Sequence, residues 1–284
     1  MRYHDPMAKA VGRGSMSDEP TLSTIRHFSL MNALLGVLNS APHDSTDCVL
    51  ARYFLDHFDD LRSLNVYEVA NDCFTSRTGI RRFCQSIGLA NFSDLKSYAW
   101  EWPQHRSLYL GYANHSDFRA HLGGQISGIV ASVDASVTDD SLGVLAAKIR
   151  AAERTVILTS DFSSMAIRQF QQSMLYVREV VHIVTDSTGD VAQLDTLGPQ
   201  DLLIVISEHG GYAHAVQTVL PNTGVQSALI TVDCDQSLAR AFGQVIRVAN
   251  EAPVVGRSVF AQYGVSYLFD LLYNTYYCLF ESTK

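Results

Sequence analysis

The sequence has neither a CxxC pair nor a Cys/His ligand cluster: its five cysteines, Cys48, Cys73, Cys84, Cys234 and Cys278, are odd in number and widely spaced. That excludes a zinc module and a secreted disulfide framework, and it points to a reducing cytoplasm and a chain without metal or cofactor. No charged stretch followed by an apolar core and a small-residue cleavage site opens the chain, so a secretory signal is not expected. Residues 1–16 lack periodicity and precede a second methionine, Met16. They read as a leader with the native start near Met16. No apolar run is long and clean enough to span a bilayer. Val259 to Phe280 comes nearest, but Gln262, Asp270 and Asn274 interrupt it, so it reads as a buried helix and no membrane partner is expected. A basic surplus is also missing. With 21 Lys+Arg against 29 Asp+Glu and a net charge of −8, the surface as a whole does not attract phosphate, and any DNA contact must be local.

What is present suffices for two cores: 284 residues, 47% of them hydrophobic. From Leu22 to about Trp100 the apolar residues recur at helical spacing, and residues 20–100 read as an all-α domain. Its first helix is expected from Ser23 to Leu38. The second starts near Ser45 with Val49, Tyr53, Phe54 and Phe58 on one side. Trp102-Pro103 is expected to end the region, so residues 101–137 read as a linker, rich in His, Ser, Gly and Asn to Asp117, followed by a connecting helix.

Residues 138–284 read as an α/β domain in which Thr138 caps a helix that buries Leu142, Leu145 and Ile149. Short apolar runs then recur at Thr155–Leu158, Val180–Val184, Leu202–Ile206, Ala228–Val232 and Val245–Val248. Their spacing leaves room for one crossover helix each, the pattern of a doubly wound parallel sheet covered on both faces. Ligands in such sheets bind at the carboxyl ends of strands. His182 falls inside a run and is expected as a hydrogen-bonded core residue, whereas His214 is expected on a helix surface. The aromatic end from Phe260 to Phe280 is more apolar all round than one buried stripe needs, which suggests a subunit interface as well as a core.

Within the helical region, Val66, Val69 and Ala70 mark one helix, Asp72 to Thr75 a turn, and Ser76 the N-cap of a second helix. In that second helix Ile80, Phe83, Cys84 and Ile87 form the buried stripe, and Gly88 supplies a left-handed C-cap. Arg77, Thr78, Arg81, Arg82 and Gln85 lie off the stripe. From Ser76 to Gly88 there are three arginines and no acid. A solvated helix face also carries such charges, but in a helix-turn-helix they are the footprint DNA requires.

The run Ser76, Ile80, Arg82, Phe83, Cys84, Ile87 and Gly88, followed by Asn91-Phe92-Ser93-Asp94-Leu95-Lys96, resembles the RpiR family of transcriptional regulators. The resemblance extends to the layout from Leu22 onward, because that family joins a helix-turn-helix to a sugar isomerase (SIS) domain. It departs at Gly79, where the family usually has Thr. Glycine inside a helix costs about 1 kcal/mol relative to alanine, so either the helix is looser or its backbone approaches DNA closely there. The resemblance implies DNA contacts from Ser76, Arg77, Thr78, Arg81, Arg82 and Gln85. Arg77, Thr78 and Arg81 would reach bases or phosphates, and Arg82 would bond phosphate or brace the domain.

The family's SIS domain holds a phosphosugar with two loops rich in glycine and serine, using hydroxyls and helix N-termini as anion donors. Here the first loop reads Thr159-Ser160-Asp161-Phe162-Ser163-Ser164 and the second Ser207-Glu208-His209-Gly210-Gly211-Tyr212. The resemblance implies effector contacts from Ser160, Ser163, Ser164, Ser207, His209, Gly210 and Tyr212. The glycines of the first loop are gone and Asp161 would repel phosphate, whereas His209 could donate to it. The loops therefore suit a phosphosugar, a different acid, a neutral sugar, or nothing.

Three functions follow from these readings. The first is a homodimeric or homotetrameric regulator of carbohydrate metabolism that binds operator DNA under control of a sugar phosphate or related metabolite. The second is a regulator whose SIS domain only oligomerises. The third is a sugar-phosphate isomerase, for which Glu208 and His209 are the only candidate bases in the loops. A helix-turn-helix has no use in an isomerase, so no catalytic residue is assigned.

Overall fold

The computed structural model describes Leu22 and residues 29–185, 191–208, 210–248 and 259–282. The expected leader lies outside them. Among the described residues, 29–115 form one compact unit, and Leu22 with residues 116–248 and 259–282 forms another.

The first unit is all-α. Helix α1 (Leu30–Ser40) starts at Ser29, whose hydroxyl accepts from the N–H of Asn32, and it buries Leu30 and Leu34. Residues 23–28, expected at its start, lie outside the description. Helix α2 (Thr46–Asp56), capped by Ser45, buries Cys48, Leu50, Ala51 and Phe54. Val49, expected on that face, is exposed. Leu50, Ala51, Phe54 and the following Phe58 make the buried stripe at helical spacing, and Val49 falls off it. Helices α3 (Val66–Asp72), α4 (Arg77–Ser86), α5 (Phe92–Ser97) and α6 (Glu101–Ala113) follow. The core closes around Phe54, whose ring lies 5.8 Å from that of Phe83 and 6.0 Å from that of Phe92.

The stretch from Glu101, expected as linker, is helix α6 of this unit. Pro103 does not end it, because the third residue of a helix has no intrahelical N–H bond to lose. The helix opens on Glu101, which is 1% exposed. Its carboxylate accepts from the N–H groups of Leu30 (2.9 Å) and Met31 (3.2 Å) and from Ser29 Oγ (3.1 Å). A carboxylate on α6 thus caps α1, 71 residues away in sequence. Burial pushes its carboxyl above the ordinary value despite those donors.

The second unit is built on a parallel sheet of order β2-β1-β3-β4-β5. Its strands are β1 (Thr155–Leu158), β2 (Val181–Val184), β3 (Leu202–Ile206), β4 (Gln226–Thr231) and β5 (Gln244–Arg247). Each expected run lands within two residues of its strand. Side-chain alternation divides the core into two apolar layers, one on each face of the sheet. Ile157, Ile204 and Ile230 pack with helices α7 (Phe118–Ser136), α8 (Asp139–Ala151), α9 (Asp161–Tyr176) and α12 (Val265–Phe280). Val156, Leu203 and Leu229 pack on the other face with α10 (Gly211–Gln217), α11 (Gln236–Ala241) and Leu22. The route from β2 to β3 passes through a 3-10 turn, Val191–Thr196, among the described residues.

His182 is exposed rather than buried, because β2 is an edge strand with one flank uncovered. At the amino ends of β1 and β3, Arg154 grips Asp201 with two bonds, Nε to Oδ1 at 3.0 Å and Nη2 to Oδ2 at 2.6 Å. This pairing holds the Asp201 carboxyl below its ordinary value. The C-terminal aromatic stretch is helical, as expected. Gly264 lets α12 approach α7, since a β-carbon there would lie 2.8 Å from Ile129. Tyr277 and Leu279 stay exposed. No helix among the described residues is long and apolar enough to cross a membrane.

Candidate functional site

The turn between α3 and α4 closes as a Schellman motif without a glycine. The N–H of Thr75 bonds the carbonyl of Ala70 at 2.9 Å and that of Phe74 bonds Asn71 at 3.2 Å. Phe74 occupies the left-handed position with φ 50°. Ser76 then caps α4 by accepting from the Gly79 N–H at 3.0 Å. The helix buries Ile80, Phe83 and Cys84, and Ile87 is half-buried at its C-cap. Gly88, at φ 89°, ends it with Leu89 N–H on the Cys84 carbonyl at 2.8 Å. Burial pushes the Cys84 thiol up to about 11, so it behaves as a core side chain.

Ser76, Arg77, Thr78, Arg81, Arg82 and Gln85 are all exposed. Among the described residues no acid pairs with Arg81 or Arg82. Residues 29–115 hold seven Lys+Arg and nine Asp+Glu, so this unit is acidic on balance and α4 is its local basic face. Arg77 is braced from within the motif: Nη1 donates to the Tyr67 hydroxyl at 3.0 Å, and its guanidinium lies 4.9 Å from that ring's centre. Lys96 Nζ donates to the Leu64 carbonyl at 2.8 Å and so ties α5 to the chain before α3. Gly79 has a reason inside the fold, because a β-carbon there would collide with the Thr75 hydroxyl.

In the α/β unit, β1 and β3 are neighbours, with Leu158 opposite Val205. The chain runs from β1 to β2 on one side and continues with β3 on the other, so the switch point lies between β1 and β3. The loops after these strands therefore lie side by side at the carboxyl edge of the sheet. Their residues divide into outward and inward groups. Ser160, the N-cap of α9, makes no capping bond with its side chain and is half-buried. Ser164 donates to the Asp161 carbonyl at 2.7 Å, and Ser163 is buried.

Ser207 is occupied by the fold. Its hydroxyl accepts from the Ala213 N–H at 3.2 Å, its N–H donates to Ile230 at 3.0 Å, and Thr231 Oγ1 donates to its carbonyl. Tyr212, read as an effector contact, is 7% exposed and packs in the apolar layer with Ala213 and Val216. The helical repeat turns it inward while Gly211 and His214 face out. His209 lies outside the described residues.

Asp233 comes to this edge from the segment after β4. Gly210 takes φ 78°, and a β-carbon there would collide with Asp233 Oδ2. The same oxygen lies 3.4 Å from His214 Nε2, which is 3.8 Å from Asp235. The second loop is thus backed by a carboxylate and a histidine. No group of three or more His, Cys, Asp or Glu side chains is arranged to hold a metal among the described residues.

No family model matches the chain. Over 68 residues it is 37% identical to an uncharacterised HTH-type transcriptional regulator of Caldanaerobacter subterraneus subsp. tengcongensis, covering 23% of this chain and 24% of that protein. The chain thus spans about a quarter of the length of the curated relative it matches. The chain joins a helix-turn-helix to a five-stranded parallel sheet flanked by helices. Among solved structures, the Vibrio vulnificus NanR protein complexed with ManNAc-6P aligns over 89% of this chain and 92% of its own, with TM-score 0.47 and 17% identity. The sugar isomerase domain of an RpiR transcription factor from Sphaerobacter thermophilus aligns over 58% of this chain and 92% of its own, with TM-score 0.47 and 15% identity.

Sequence reasoning found the outward face of α4 and missed three groups. Tyr67 was invisible as a brace because it lies on the other helix of the motif. Glu101 and Asp233 act on segments far from them in sequence. The one local signal was the turn Asn71-Asp72-Cys73-Phe74, which lacks the glycine that a left-handed residue favours.

Proposed function

We propose that this chain is a DNA-binding transcriptional regulator of carbohydrate metabolism, with residues 29–115 reading operator DNA and the SIS-like unit sensing a small sugar phosphate or related sugar derivative. The exposed basic face of α4, without acidic partners in an otherwise acidic unit, carries the reading. Arg81→Ala should weaken binding to a duplex enriched from a random library by about 1–3 kcal/mol in a gel-shift titration. Unchanged affinity removes Arg81 from the interface, and a selection that enriches no palindrome counts against a two-fold operator.

The juxtaposed ends of β1 and β3 support effector binding. Ser160 and the start of α9 offer donors to an anionic group, whereas Asp233 behind Gly210 suits the hydroxyls or an ammonium group of a sugar. We assign no catalysis to the site, and the exposed Tyr277 and Leu279 of α12 to contact between copies in a homodimer or homotetramer. The inward turn of Ser207 and Tyr212 favours a second reading, in which this unit only oligomerises. A thermal-shift screen with sugar phosphates, amino sugars and sugar acids decides between them. A ligand at 100 times its dissociation constant stabilises the fold by about 2.7 kcal/mol, and no shift from any class supports the second reading.

A further inference from the structure

Phe74 is 96% exposed, the most exposed of the large hydrophobic side chains described. It also holds φ 50°, a left-handed conformation that costs a residue with a β-carbon and that glycine adopts freely. Elsewhere in the unit a glycine takes the equivalent position, Gly88 after α4. An aromatic ring in this place returns nothing to the core: it keeps its apolar surface in water and its backbone strained. Such an outlier points to a use outside the folded chain. Its neighbours indicate which use. Phe74 stands two residues before Ser76, the cap of the basic helix, on which Arg77 is held against Tyr67 and Thr78 and Arg81 are exposed.

We propose that Phe74 is a specificity-determining residue that places its ring against a thymine methyl group in the major groove, beside the bases or phosphates met by α4. The C5-methyl of thymine is the apolar feature of that groove and is read by side chains including Phe. The inference rests on the DNA-reading proposal, in which the arginines supply the attraction to phosphate and Phe74 supplies a preference they lack.

The test uses the full chain and a duplex enriched by it from a random library. Phe74→Gly should melt about 2–4 °C higher, because the left-handed strain is relieved, yet bind that duplex roughly 10-fold more weakly. Deoxyuracil replacing thymine, one position at a time, should weaken the unmodified protein at one position in each half-site and leave Phe74→Gly indifferent there. Equal affinity of the two proteins overturns the proposal. A loss that no uracil position reproduces also overturns it, assigning the ring to the deoxyribose backbone, and so does a loss traced to a change of oligomeric state. Failure of the unmodified chain to enrich or bind any duplex overturns the DNA-reading proposal and this one with it. Arg81→Ala distinguishes the two levels, since it should weaken binding while retaining the uracil sensitivity.

Discussion

The helical unit and the α/β unit treat their marked residues in opposite ways. On α4 and its N-cap the six residues singled out from sequence all face solvent. At the ends of β1 and β3, Ser163, Ser207 and Tyr212 turn inward and are buried. A helix face is set by a repeat of 3.6 residues, so side chains off the buried stripe are outside it. A loop after a strand has no such repeat. Whether its hydroxyls are offered to a ligand or spent on the fold depends on which other segments arrive beside it. The contrast warns against transferring a binding loop by residue type alone.

That contrast is sharpened most by Gly210, where the α/β unit is tightest. Gly210→Ala combines a left-handed β-carbon, about 1–2 kcal/mol, with overpacking against Asp233, about 1–3 kcal/mol. Denaturant melts should show a loss of about 3 kcal/mol, and Asp233→Ala in the same chain should restore the overpacking part. Full additivity of the two substitutions would mean that Asp233 does not press on the loop.

In the helical unit the corresponding weak point is Glu101. Glu101→Ala leaves the N–H groups of Leu30 and Met31 without their acceptor and should cost about 2 kcal/mol. Hydrogen exchange in α1 should rise first, and an unchanged α1 would deny the carboxylate its capping role.

The two units should also answer acid in opposite directions. Asp201 has a lowered folded pKa, so its stabilisation is present above the ordinary carboxylate range and lost as pH falls through the folded value. Glu101 has a raised folded pKa, so its stabilisation is full below that range and declines as pH rises through the folded value. Lowering the pH from about 5 to 3 should therefore loosen β1 and β3 before the helical core, read by amide exchange. Asp201→Asn should remove much of that acid sensitivity. The exposed side of Arg154 screens the pair and keeps the effect modest.

The smallest effect tests the turn of the helix-turn-helix. Gly79→Ala alone should gain little, because the new β-carbon meets the Thr75 hydroxyl. Paired with Thr75→Ala it should gain about 1 kcal/mol of helix propensity. A full gain from Gly79→Ala alone would show that Thr75 moves aside freely.

Much of the architecture is legible in the sequence. Buried strands announce themselves as unbroken apolar runs, and the Leu202–Ile206 run coincides with β3. Capping residues fixed the starts of α2, α4 and α8, because Ser45, Ser76 and Thr138 each bond the backbone only three residues on. The reading failed where one element's neighbours decide. Pro103 looked like a stop and sits in a first turn, and His182 looked like core but lies on an edge strand.

The sequence by itself determined the two-part layout, the buried stripe of α4 and the arginines left outside it, since these follow from periodicities that span a few residues. Tertiary structure alone decided that Glu101 caps α1, that Asp233 backs Gly210, and that the ring of Phe74 is left in water with nothing to cover it. Each of those depends on chain segments brought together by folding, or on their absence, and no local spacing encodes that.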